Sequence, residues 1–159
     1  MKKIFATLFC ATLISLLAAC GGGGATQAVD DTPEGAAFAF RHAVMQAIAY
    51  KVVRLRGMAS GEIPVDEAAF AKDARDVAAL SGMVVEGFIP NSIVEGSIAL
   101  PDIWTNMADF EAKAMELQTA AEALATAAQQ NGFEAAKGMV QAVGGSCGNC
   151  HRPYRRRQE

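Results

Sequence analysis

Apolar residues recur at intervals of three and four through four segments of the chain, and sustained period-two alternation is absent. This is the pattern of amphipathic helices that bury one stripe each. The first segment opens at Thr32-Pro33-Glu34, with a cap hydroxyl, a proline suited to the first helical position and an acid in the first turn. It is expected to stop near Gly61, and its inward stripe runs Phe38, Arg41, Met45, Ile48, Val52, Leu55 and Ala59. A second helix is expected from Asp66 to about Val85, burying Phe70, Ala74, Val77 and Leu80. A third, about Met107 to Gln130, presents Phe110, Ala114, Leu117, Ala121, Leu124 and Ala128 before Gly132 ends it. The fourth begins at Phe133 or Glu134 and aligns Ala136, Val140, Val143, Cys147, Cys150 and Tyr154. The outer connections are short, while a long loop with Gly87, Pro90, Gly96 and Pro101 crosses over in the middle. The expectation is an all-α, antiparallel four-helix bundle.

The residues ahead of the first helix follow another pattern. Met1, Lys2 and Lys3 form a charged start, and Ile4 to Ala19 is apolar without a charge, as in an export signal. The run ends in Leu17-Ala18-Ala19-Cys20, which looks like the lipobox of bacterial lipoproteins, where the cysteine is acylated. Ordinary cleavage near Ala19 and a retained membrane anchor are the alternatives. Gly21 to Gly24 and the polar stretch behind them read as a flexible tether. The division expected is a lipoprotein signal over 1–19, a lipidated Cys20 with its tether over 20–32, and one bundle domain over 33–159. The location expected is the periplasmic side of a bacterial membrane, lipid-anchored, with a soluble periplasmic form as the alternative.

Loss of Lys2 and Lys3 with the signal leaves 12 basic against 17 acidic residues, a formal charge near −5. That argues against nucleic acid as a partner. About 125 residues remain for one core, and a buried cofactor would count as part of it.

Candidate chemistry concentrates near the end of the sequence, where Cys147, Gly148, Asn149, Cys150 and His151 spell Cys-x-x-Cys-His, the attachment site of a c-type haem. Two thiols three apart on a helix can each add across one porphyrin vinyl group, which places the following imidazole beneath the iron. His151 is then the proximal ligand, in a single covalently bound haem c within the bundle core. A zinc site wants four ligands, but Cys10 leaves with the signal, Cys20 is the lipid site and His42 is the only other histidine. A redox dithiol wants a preceding strand and a helix N-terminus, and neither is suggested. A small metal or disulfide module without haem stays as the remaining alternative.

Arg41 is a residue an ordinary core would exclude, because a buried guanidinium without a partner costs several kcal/mol. A haem propionate is a natural, even two-pronged, partner; snorkelling to water is the alternative. One turn on, Met45 either offers its thioether to iron as a sixth ligand or fills space, as Met58, Met83, Met115 and Met139 are expected to do. Spacing alone leaves both open.

Arg41-His42-x-x-Met45, Gly61-Glu62, Phe88-x-Pro90, Pro101-Asp102-Ile103-Trp104, and Val143-Gly144-x-Ser146-Cys147-x-x-Cys150-His151 followed by Tyr154-Arg155 together resemble class II cytochromes c, the cytochrome c′ family. The resemblance covers residue 33 to the end. It is specific because ordinary class I cytochromes c carry the haem motif near the N-terminus. It implies a four-helix bundle, often a homodimer, with Arg41, His42, Met45 and Arg155 in the haem pocket beside Cys147, Cys150 and His151. Most members have an apolar residue at the position of Met45, with five-coordinate iron open to nitric oxide or carbon monoxide. Low-spin members bind iron through a methionine there, although some five-coordinate members also carry one. The functions expected are electron transfer with an unknown redox partner protein or, alternatively, binding of small gases; nothing in the sequence suggests an enzyme. Arg152, Arg155, Arg156 and Arg157 depart from the family in making the tail basic, which could steer an acidic redox partner or form only a solvated face.

Overall fold

Thr32 accepts the Gly35 amide on its hydroxyl at 3.1 Å and opens helix α1, Pro33–Ser60, whose Pro33 has no N–H to leave unpaired. The computed structural model describes residues 31–157; the expected signal, Cys20 and most of the tether lie outside them. Gly61 closes α1 in the left-handed region at φ 80°, its N–H donating to Met58 O. Asp66 caps α2, Glu67–Ser81, by accepting from the Ala69 amide at 3.0 Å. A short α3, Asp102–Thr105, precedes α4, Met107–Ala136, and α5, Val140–Tyr154. Gly132, with φ 79° and ψ −179°, is non-helical, so α4 is two helices run together across the break expected there, the second starting at Phe133.

The second helix ends at Ser81, short of the expected Val85. The Ser81 hydroxyl turns back to Val77 O at 2.6 Å, Gly82 follows, and the chain continues into a 3₁₀ turn at Val85–Gly87. A serine bonded to its own helix followed by a glycine is a weak substrate for continuing it.

The four long helices alternate in direction. Phe70 at the start of α2 meets Phe133 near the end of α4 edge-on at 5.0 Å. At the opposite pole Phe110, early in α4, meets Tyr154 at the end of α5 at 5.5 Å. The N-terminal half of α1, the crossover loop and the last turn of α5 therefore share one pole. The expected stripes of α4 and α5 form the core, with Cys147 and Cys150 half-buried on its edge. On α1, Val44 and Met58 join Ile48, Val52 and Leu55 inside, while Phe38, Met45 and Ala59 are half-buried. The expected filler role suits Met58 but not Met83 and Met115, which are 39% and 59% exposed. Met115 follows Ala114 by one residue, a turn of about 100° away from the stripe.

One buried carboxylate ties α1 to α2. Asp73, 2% exposed, accepts from Lys51 at 2.7 Å and Arg54 at 2.8 Å. Two cations on one carboxylate meet the condition under which a buried charge is tolerated. No helix among the described residues is long and apolar enough to cross a membrane.

Candidate haem site

The crossover loop is fastened to α1 through Arg41, which is 5% exposed. Its Nη1 donates to Gly87 O at 3.0 Å and to Ser92 Oγ at 3.1 Å. Its Nη2 donates to Ser92 O and to Ser97 Oγ. The guanidinium also sits between the Phe38 and Phe88 rings, 5.1 and 5.3 Å from their centroids. Gly87 is required by this closeness, because a Cβ there would stand 2.5 Å from Arg41 Cβ and 3.1 Å from Ala37 O. Burial pulls the Arg41 pKa down from its usual range. No carboxylate among the described residues pairs with it. Both terminal nitrogens thus bond the loop, and Nε–H lies outside these bonds.

Beside this fastening lies a cavity of about 370 Å³, within the roughly 300–1,000 Å³ usual for ligand sites. Its lining is largely apolar, from residues such as Ile48, Val52, Val84, Phe88, Ile103 and Leu117. Into it α5 brings Cys147, Cys150 and His151, and α1 brings Arg41, His42 and Met45; Arg155 closes the rim. All seven pocket residues expected from the sequence thus line one cavity.

The donor set has a definite chemistry. Burial pushes the Cys147 thiol up and the Cys150 thiol up to about 11. Burial first, and then the charge of Arg155, holds His151 below the ordinary imidazole range, leaving a neutral ring with a lone pair. Two protonated, unpaired thiols and a neutral imidazole in an apolar cavity fit a covalently held haem, with His151 as the donor to iron. The described residues contain no group of three or more His, Cys, Asp or Glu that could hold a metal ion, which leaves the zinc alternative without a ligand set.

The other lining residues with lone pairs are engaged. His42 is exposed, stacked on Phe38 at 5.7 Å and within 3.2 Å of Gln46 Nε2. The Tyr154 hydroxyl donates to Asp109, which also pairs with Lys113 at 3.1 Å. Ser97 Oγ takes Arg41. Met45, half-buried, has no such partner among the described residues. Sequence reasoning missed Ser92, Ser97, Asp109 and Lys113. Ser92 and Ser97 carry no signal in a loop already rich in turn residues, and Asp109 and Lys113 look like an ordinary i,i+4 surface pair.

The sequence profile of a family described as Cytochrome C′ matches residues 36–155. Cytochrome c-554 of Cereibacter sphaeroides is 31% identical over 121 residues, covering 74% of this chain and 90% of that one. Among solved structures, the cytochrome c prime of Shewanella frigidimarina superposes with a TM-score of 0.74 at 36% identity, covering 78% of this chain and 97% of that one. A nitric oxide complex of a cytochrome c prime variant from Alcaligenes xylosoxidans gives 0.71 at 26%, covering 79% and 97%. With the bundle, the cavity and the Cys-x-x-Cys-His turn on one pole, these likenesses settle the family: the chain belongs to the cytochrome c′ family of proteins with covalently attached haem c.

Proposed function

We propose that the chain is an electron carrier, held by a lipidated Cys20 at the periplasmic face of a bacterial membrane. When bound, haem supplies one-electron cycling between ferrous and ferric iron. Cys147 and Cys150 would hold it through thioethers, His151 would donate its ring nitrogen to iron, and the Nε–H of Arg41 is the donor left for a propionate. The observation that carries the reading is Met45. It lines the cavity that His151 also lines, and among the other lone-pair side chains there it is the one without a partner. Histidine and methionine together are the ligand pair of electron-carrying cytochromes c.

A second reading, binding of a small gas at five-coordinate iron, is favoured by the apolar surroundings of Met45, where Ile48, Ala49 and Val52 also line the cavity. The nitric oxide complex of the Alcaligenes protein is a precedent for that protein. Spectra of wild type and Met45→Ala, each before and after carbon monoxide, separate the two. The carrier reading expects a low-spin ferrous wild type that resists carbon monoxide and a high-spin variant that binds it. A high-spin wild type that takes up carbon monoxide would transfer the proposal to gas binding.

A further inference from the structure

Arg152, Arg155, Arg156 and Arg157 are all exposed, and they are not a loose tail. The Leu100 amide donates to Tyr154 O at 3.0 Å and the Arg156 amide to Ile98 O at 2.9 Å, with Ala99 and Arg155 forming an antiparallel bridge. The Arg156 guanidinium adds a bond to Ser97 O at 3.0 Å. Ser97, Ile98, Ala99 and Arg155 all line the haem cavity, so this backbone pairing holds Arg155, and Arg156 next to it, at the cavity's edge; Arg152 in the last turns of α5 and Arg157 flank them in sequence.

None of the four pairs with a carboxylate among the described residues, whose ion pairs use Lys51, Arg54, Lys72, Lys113 and Lys137 instead. Arg152 reaches only Asn149, at 3.4 Å. The whole sequence has a formal charge of −3. The four arginines thus carry a sign opposite to that of the molecule as a whole, and such segregation orients an approaching partner of opposite charge. Guanidinium groups, planar and weakly hydrated, suit carboxylate-rich surfaces.

From this placement we propose that the arginine rim is the docking face for an acidic electron-transfer protein; the proposal rests on the carrier reading and specifies the partner's chemistry. A layer of anionic lipid headgroups would match the charge, but it exchanges no electrons and would cover the cavity.

The test is binding of a flavodoxin, used as an acidic electron-transfer probe, to the full haem-loaded chain in neutral detergent, measured by calorimetry. Wild type is compared with the double variant Arg152→Glu, Arg157→Glu, whose absorption spectrum checks that haem and fold are retained. The expected result is wild-type binding that weakens as salt rises and is at least about tenfold weaker in the variant. Undetectable wild-type binding, or equal affinities, would overturn the proposal. So would a flavodoxin affinity untouched by the changes together with loss of preference for phosphatidylglycerol-containing over pure phosphatidylcholine vesicles, which assigns the face to lipid. Binding is read without electron transfer, so failure here leaves the carrier reading to its own spectral test.

Discussion

Replacing Arg41 with methionine removes the guanidinium and keeps the apolar stem. Gly87 O and Ser92 O then lose charged donors in a buried setting. Each orphaned carbonyl costs about 1–3 kcal/mol. The two hydroxyls lose less, since Ser92 Oγ still donates to Ile89 O at 2.7 Å and Ser97 Oγ still accepts from the Ala99 amide at 3.3 Å. Relief from burying a cation that no carboxylate balances offsets part of the loss. The net expectation is about 3 kcal/mol, a sizeable share of the roughly 5–15 kcal/mol that holds a domain together. At this size that is a fall of roughly 10 °C in Tm. Denaturant titration of the haem-loaded variant measures it, and amide exchange across 87–99 shows whether the loop opens first, as the bonds require. A loss below about 0.5 kcal/mol, with loop exchange unchanged, would show that Arg41 does not fasten the crossover loop.

Two further outcomes follow from the charges and the leader. Hydrogen bonds from Lys51 and Lys72 hold the Asp76 pKa below its usual range, and hydrogen bonds from Tyr154 and Lys113 do the same for Asp109. Their stabilisation is therefore present above the unfolded carboxylate value of about 4 and lost as pH falls through the lower folded values. The denaturant midpoint should drop below about pH 4 and do so less steeply in Asp109→Asn; identical profiles would refute the assignment. Replacing Cys20 with serine should release the protein from the detergent phase, and unchanged partition with full signal cleavage would count against the lipid anchor.

Much of the bundle was legible because its signals are local. Thr32-Pro33-Glu34 and Asp66 carry their caps in sequence, Gly132 marks a backbone that only glycine adopts comfortably, and the stripe of α4 from Phe110 to Ala128 is buried as spaced. Cys-x-x-Cys-His was legible because haem attachment dictates its spacing. What stayed hidden depends on contacts between distant residues. Arg41 meets Ser92 and Ser97 across 51 and 56 positions, and Arg156 meets Ser97 across 59. No periodicity records such pairings. The sequence singled Arg41 out as a misfit in a core and pointed to a propionate partner, but it could not place the loop oxygens that also bond the guanidinium. Met115 was misjudged because composition says that a methionine is apolar without saying on which side of a helix it falls, and Met83 because α2 stops at Ser81 and leaves it in the exposed turn that follows.

The claim on which all else rests is that haem c is bound through Cys147 and Cys150. The direct measurement is haem staining and intact mass of the denatured, exported chain, for wild type and for Cys147→Ala, Cys150→Ala. The account predicts that wild type keeps its stain and the added mass of one haem after boiling in detergent, while the double variant shows neither. A double variant that still carries haem on a denaturing gel would contradict it.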